Sequence, residues 1–436
     1  KKWWGFDSEP ALQKFQGPTV GSGEWGITDV WRRRKPEFWN TKKSYTPFKV
    51  LKTEFAKSDI TNSIKIPVYN RFNFTDFNEL KIEYTFRGKK HVLKDINLPP
   101  HTKGNISIPV KEIKPGEIIV LEAYDRNNLL IDKYHLKLEE NPLNRKPAIS
   151  GSTEVSETQN EIGVGCNNGV TITIDKNTGL IEQVKTEKGN LKFSGPFVNL
   201  QMAGKPIDFM RVYIDEYGDG WKKENLSYSK EGNNTVITVK GRTDKLSEVD
   251  YKITIRPDAG ISVQYFFGEI PKKRVHEAGI KFALDKHYDS LSWKRKAYWS
   301  YYMPGSLSAP EMTVPLYSQI ANEYRKKPEK KWIYDTKSFY YNGTEKEDIK
   351  NQLTFIAKAT KENIYHYAIS QKNGKKISVS GNADVSCRIA RDKNGITLYA
   401  NNLIDYINIG WGNYQRDIIL DSTYTNKIEF MIQTNN

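Results

Sequence analysis

The segment with the plainest reach towards chemistry lies near the end of the chain, in "DYINIGWGNYQRD". Gly410, Trp411, Gly412 and Tyr414 make a glycine-flanked aromatic loop just ahead of the last expected strand. Glycines admit the tight backbone turns that other residues resist, so this loop could hold an indole out of a sandwich, against the flat face of a ligand. Closure of the same ring into a core is the other reading. A second aromatic cluster, "KAYWSYYMPGS", packs Tyr298, Trp299, Tyr301 and Tyr302 together. Read as a strand, alternation puts Tyr298 and Tyr302 on one face and Trp299 and Tyr301 on the other, giving either one buried face or an aromatic platform for a ligand. The acidic turn "IDEYGDGW" offers Asp215, Glu216 and Asp219 as oxygen ligands for Ca²⁺. It lacks an EF-hand's ordered ligand series, so a solvated turn is expected. His276-Glu277 lacks the second histidine of a zincin motif, and Cys166 and Cys387 belong to no Cys/His ligand set. No metal or cofactor is implied.

The elements that must position these residues read as β almost throughout. Aromatics make up 12% of the 436 residues while the mean hydropathy is −0.68. That balance suits sandwiches with one solvated face per sheet. No apolar run approaches the ~18 residues of a membrane span, so a soluble chain with no membrane partner is expected. "KKWWGFDSEP" has no apolar stretch typical of a secretion signal. The net charge of +15 comes from 67 basic residues dispersed along the apparent strands, with no groove-reading motif, so nucleic-acid binding is not expected.

Residues 48–140 give seven strand-like segments: "FKVLKTEF", "NSIKIPVYNRF", "ELKIEYTF", "KKHVLKDINL", "NISIPV", "EIIVLEAYD" and "LIDKYHLKL". About seven strands in some 90 residues is the count of an immunoglobulin-like sandwich. Residues 141–160 are polar, proline-bearing and aperiodic, and read as a linker. From 161 to 436 strand patterns such as "GVTITIDKNTGLIEQVKTEKGNLKF", "VDYKITIRPDAGISVQYFF" and "AGIKFAL" return and predict one large sandwich. One helix is expected over "EKEDIKNQLTFIAKAT", and another over "KPEFWNTKKSY" leading into the first sandwich.

The order of these parts resembles the C-terminal portion of glycoside hydrolase family 2, as found in β-galactosidases. "GEWGITDVWRRRKPEFWNTKKSYTPFKV" is similar to the family's exit from its catalytic (β/α)8 barrel, on Gly26, Ile27, Asp29, Arg32, Lys35 and Pro36. "IKIPVYNRFNFTDFNELKIEYTF" resembles the opening of the family's second Ig-like domain, on Asn70, Phe72, Asn73, Phe74 and Phe77. "GVTITIDKNTGLIEQVKTEKGNLKFSGPFVNL" resembles the start of its C-terminal β-supersandwich, a galactose-mutarotase-like fold. The resemblance implies a mainly β chain: the tail end of a barrel over 1–47, an Ig-like sandwich over 48–140, a linker over 141–160 and a supersandwich over 161–436.

It also implies a carbohydrate substrate and a retaining β-glycosidase. Such chemistry uses two carboxyl groups roughly 5 Å apart, and in the family both are glutamates on barrel strands outside this chain. The chain alone is therefore expected to be inactive, with the barrel in the same or a companion chain. Glu24, on the last barrel strand, matches neither catalytic motif and implies a rim or structural role. Trp25 would stack on a sugar or cap a pocket or core. Trp411 and Tyr414 fall near a loop that, in related enzymes, sends a tryptophan under the sugar ring. A stand-alone carbohydrate-binding or assembly protein is the alternative. A periplasmic or secreted location would suit a polysaccharide-degrading enzyme.

Overall fold

The computed structural model describes residues 27–28, 34, 36–60, 62–110, 114, 116–138, 150–187, 189–206, 212–303, 306, 308–316, 342–343, 360–391, 395–405 and 416–434. The chain is nearly all β, with large sandwich sheets. It divides into two compact units, one running to Pro147 and taking in Ala297–Pro310, the other built mainly from Ala148–Lys296 and the chain beyond Tyr334.

In the first unit, "KPEFWNTKKSY" forms the expected helix, α1 (Pro36–Tyr45). Pro36 takes the first helical position, where a missing N–H costs nothing. Lys42 and Lys43 lie in the last turn, where the helix dipole favours positive charge. Of residues 1–35 only Ile27, Thr28 and Arg34 are described, so the barrel-tail reading, with Glu24 and Trp25, lies outside the described residues.

The strands that follow are β1 (Phe48–Val50), β2 (Glu54–Phe55), β3 (Ser63–Asn70), β4 (Lys81–Phe86), β5 (Lys89–Leu93), β6 (Lys103–Pro109), β7 (Ile118–Tyr124) and β8 (Leu130–Leu138). They form two sheets, β1-β3-β6 and β2-β8-β7-β4-β5. "FKVLKTEF", expected as one strand, splits in two. Phe48 and Val50 are buried on even positions and Phe55 on an odd one. Because side chains alternate with a period of two, that change of parity cannot be met by one straight strand. The chain breaks at Leu51–Thr53, and β2 joins the other sheet, parallel to β8. Between the sheets Phe48 meets Phe77 at 4.9 Å, within a core that includes Ile66, Leu121 and Leu136.

The second unit contains β9 (Glu154–Glu157), β10 (Glu161–Gly165), β11 (Thr171–Asp175), β12 (Ile181–Lys185), β13 (Leu191–Pro206), β14 (Val212–Glu216), β15 (Lys222–Glu231), β16 (Asn234–Arg242), β17 (Glu248–Ile255), β18 (Gly260–Leu284), β19 (Ser290–Arg295), β20 (Glu311–Pro315), β21 (Asn342–Gly343), β22 (Ile364–Ser370), β23 (Lys375–Ser380), β24 (Ser386–Arg391), β25 (Ile396–Ile404) and β26 (Ile419–Thr434). β9 falls within the expected linker. It pairs with β10, setting Val155 opposite Val164, and its other residues are polar, as suits an edge strand with one wet face.

Two long strands organise this unit. β13 pairs with β12 near its start and with β14 and β18 further on. β18 is 25 residues long. Its first part pairs with β17 and β26 and its last part with β13 and β25. The sequence read it as two segments because "GEIPKKRVHE" interrupts the apolar pattern. The strand continues through that stretch by register shifts at Gly268/Ile270 and Ile270/Lys273, which is where a strand tolerates Pro271. The helix expected over 345–360 lies, up to Thr360, outside the described residues.

"KAYWSYYMPGS" is not a strand. β19 ends at Arg295, and 296–303 is irregular chain belonging, from Ala297, to the first unit. Its aromatic residues have separate partners: Tyr301 lies 5.0 Å from the His135 ring, and Lys49 sits 4.7 Å over Trp299. Ser300 Oγ accepts the His135 backbone N–H. Those contacts take the place of a neighbouring strand.

Candidate functional site: a buried ion pair at the root of the 405–416 segment

In the second unit, β13, β18, β25 and β24 lie side by side. One face of this sheet is apolar, with Val198, Leu200, Ile280, Leu398 and Ile389 buried. By alternation the other face carries Asn199, Gln201, Glu277, Asn401 and Arg388, and every one of them is buried too. Such a face is affordable only if its polar groups find one another.

Most do. Arg388 grips Glu277 with two parallel bonds, Nε to Oε1 at 2.6 Å and Nη2 to Oε2 at 2.7 Å. Asn199 Nδ2 donates to Glu277 Oε2 at 2.9 Å and to Asn401 Oδ1 at 2.7 Å. The guanidinium lies 3.5 Å over the Tyr399 ring. Between Asn199 and Asn401 the register places Gly279. A Cβ there would collide with the Ala400 carbonyl and with Asn401, so glycine is what lets the two amides meet across the strand.

Burial pushes the Glu277 carboxyl up, but the Arg388 charge and the bonds from Arg388 and Asn199 outweigh it and hold it below the ordinary range. A carboxylate kept ionised, with both oxygens engaged, is a poor proton donor. A glycosidase acid needs a raised pKa. Glu277 is thus suited to holding structure. The adjacent His276 is pulled down to about 4 by burial and by the Arg274 charge, and neither ring nitrogen has a hydrogen-bond partner.

This cluster stands at the root of the segment that sequence reasoning singled out. The Asp405 N–H bonds to the His276 carbonyl at 2.8 Å. The Asp405 carboxylate accepts the backbone N–H groups of Arg416 at 2.7 Å and Ile418 at 3.2 Å. The Arg416 guanidinium donates to the Ile404 carbonyl. The described chain is therefore clasped on either side of 406–415. Trp411 and Tyr414 lie outside the described residues, as do Glu24 and Trp25, so none of the four expected sugar-contacting residues is placed.

The acidic turn is accounted for differently. Asp215 bonds to Lys273 at 2.8 Å, and Glu216 lies 3.9 Å from Lys281. Among the described residues no group of three or more His, Cys, Asp or Glu could hold a metal ion. Cys166 is half-buried and Cys387 buried, both as free thiols. No helix among the described residues is long and apolar enough to cross a membrane.

Sequence reasoning missed the ion pair. Its signal was charge inside apolar strands: Glu277 in "VHEAGIKFAL", Arg388 in "SCRIA", and Asn199 and Gln201 at one parity in "FVNLQM".

The fold defines a nearly all-β protein built on large sandwich sheets. Residues 166–299 match the family described as beta galactosidase small chain, so the chain contains a β-galactosidase-like region. The match takes in Asn199, Gln201 and Glu277 and stops short of Arg388, Asn401 and Asp405. Among solved structures, galactose 1-epimerase from Lactobacillus acidophilus NCFM is similar at 10% identity, covering 66% of this chain and 100% of that one, with a TM-score of 0.35. No curated protein sequence matches the chain significantly.

Proposed function

We propose that this chain is the C-terminal accessory region of a retaining, β-galactosidase-like glycosidase of family 2, acting on β-glycosidic bonds in oligo- or polysaccharides. The match of residues 166–299 to the beta galactosidase small chain carries this reading. In it, 1–47 is the end of a catalytic (β/α)8 barrel, 48–140 an Ig-like spacer, 141–160 a connection that ends in an edge strand, and 161–436 a galactose-mutarotase-like supersandwich that braces the barrel. The two catalytic glutamates sit on that barrel, in the same or a companion chain. Trp411 and Tyr414 wall the sugar pocket, with Trp25 and Glu24 near its rim. The clasp at Asp405 supports this assignment, because a loop that presents an aromatic ring to a ligand needs a fixed root.

The test is an assay on a nitrophenyl β-galactoside with the chain alone and with the barrel encoded upstream or supplied by a companion. The chain alone is expected to show no turnover above background, and the complete enzyme to be active with a KM raised by Trp411→Ala. Turnover by the chain alone that disappears in Glu24→Gln would overturn the proposal. Sugar binding with no barrel in the reading frame or among co-purifying chains would leave the stand-alone carbohydrate-binding protein.

A further inference from the structure

The end of β25 and the chain entering β26 converge on one short stretch of β18, Arg274–His276. The His276 carbonyl accepts the Asp405 N–H at 2.8 Å, and the Val275 N–H donates to the Ile418 carbonyl at 2.9 Å. Arg274 Nη1 donates to Asp417 Oδ1 at 3.2 Å. The two arms are joined to each other through the buried Asp405 carboxylate, which takes the N–H groups of Arg416 and Ile418.

The side-chain donors at this junction are poorly served. His276 is 2% exposed, and both its ring nitrogens and Arg274 Nε are buried without a hydrogen-bond partner. A neutral imidazole has one N–H to satisfy and a protonated one has two. A buried charge left without a partner is the costlier of the two states. Burial and the Arg274 charge oppose protonation of the ring, and they outweigh Glu277 and Asp405, which favour it. Arg416, with Nε 4.0 Å from Asp405 Oδ1, and Asp417 are the other charges on the arms. β13 sets Gln201 and Met202 opposite Glu277 and Val275, and neither titrates. Glu277 is not at liberty to turn to a charged ring, since Arg388 and Asn199 hold both its oxygens. Asp405 reaches it only by giving up Arg416 or Ile418.

We propose that His276 makes this junction an acid-sensitive clasp: when its ring takes a proton from solvent, Asp405 lets go of Arg416 and Ile418. Two routes lead there. The charged ring draws the Asp405 carboxylate off its backbone donors, or it gains water as the two arms part. Both break the same two bonds, and neither requires a barrel or a sugar. The rest of β18 stays paired with β13, β17, β25 and β26, so the opening is local.

Amide hydrogen exchange of the ¹⁵N-labelled chain, corrected for the intrinsic rate at each pH, tests the clasp. Between pH 6.5 and 4.5 the protection of the Arg416 and Ile418 amides is expected to fall at least tenfold, as linkage to one buried histidine requires. Protection of Val263, between β17 and β26, should stay well above theirs throughout. His276→Gln keeps a polar side chain that takes no proton, and is expected to abolish the fall. In the parent chain the fall should level off where the His276 ring resonance itself titrates, a readout that stands even if the variant does not fold. Protection that does not change with pH would overturn the proposal. So would a fall that persists in His276→Gln, which would assign it to a carboxylate, or Arg416 and Ile418 amides as protected as Val263, which would make the opening global.

Discussion

Glu83 in the first unit and Glu277 in the second are both almost wholly withdrawn from water, at 3% and 1% exposure. Glu83 lies on β4 directly opposite Glu122 of β7, an unfavourable pairing of like charges. It is neutralised from outside, by Lys81 at 2.8 Å and Lys90 at 2.6 Å, whose side chains are about half exposed. Glu277 is neutralised from inside by Arg388, which is as buried as the carboxylate itself. Flexible surface lysines can be replaced by water or by each other. A buried guanidinium cannot, since its loss strands a charge in a medium that solvates it poorly. The two units thus make opposite commitments with the same residue type.

The sharpest way to break this contrast is Arg388→Ala. It should cost about 3–5 kcal/mol in urea unfolding of the second unit, as expected when one partner of a buried pair is removed. The double variant Glu277→Leu/Arg388→Met should recover much of that loss, because apolar residues of similar volume can replace a buried pair. A single variant as stable as the parent would mean that the pair is solvated.

The next effect is one of pH. His276 ordinarily takes a proton near pH 6.5 but in the fold only near about 4. Between those values the unfolded chain holds the proton and the folded chain does not, so stability is fully present above pH 6.5 and falls as the pH drops towards 4. The loss should be on the order of 2–3 kcal/mol for a buried imidazole. Glu277 acts in the same direction. Its stabilisation is present above the ordinary glutamate value of 4.5 and is lost as the pH falls through its lowered folded value. In the first unit His135 is likewise lowered to about 4, by burial and by Lys133 and Lys137, so neither ring should titrate above pH 5 in an NMR series. His276→Gln should flatten the second unit's pH dependence between 4 and 6.5, and an unchanged slope would remove the assignment.

The smallest effect is expected at Glu83. Lys81→Ala should leave the urea midpoint of the first unit within scatter of the parent, because Lys90 remains and exposed pairs contribute little. Removing both lysines should do visibly more, since the carboxylate then faces Glu122 alone. Equal effects of the single and double variants would show that Glu83 does not depend on them.

Strand content was legible because alternation is local: "IKIPVYN" or "NTVITVKGR" declares its two faces within a few residues. The helix at Pro36–Tyr45 was legible for the same reason, from its proline start and basic end. The candidate site was legible only as separate letters. His276-Glu277 was weighed as an incomplete zinc motif, and nothing near it announced Arg388, 111 positions further on. The aromatic run at Tyr298–Tyr302 was read as a strand because its composition permits one, and no local signal says that it leaves its neighbours for the first unit.

The sequence by itself determined the β class and, in most strands, which apolar side chains share a face, because these follow from a side-chain period of two and from the aversion of apolar groups to water. Only the tertiary structure decided which strands pair, that β18 serves two sheets, and that four polar residues from four strands meet across Gly279. Those outcomes depend on register between segments far apart in the chain. A shift of one residue in any of them would send the same side chains to the opposite face.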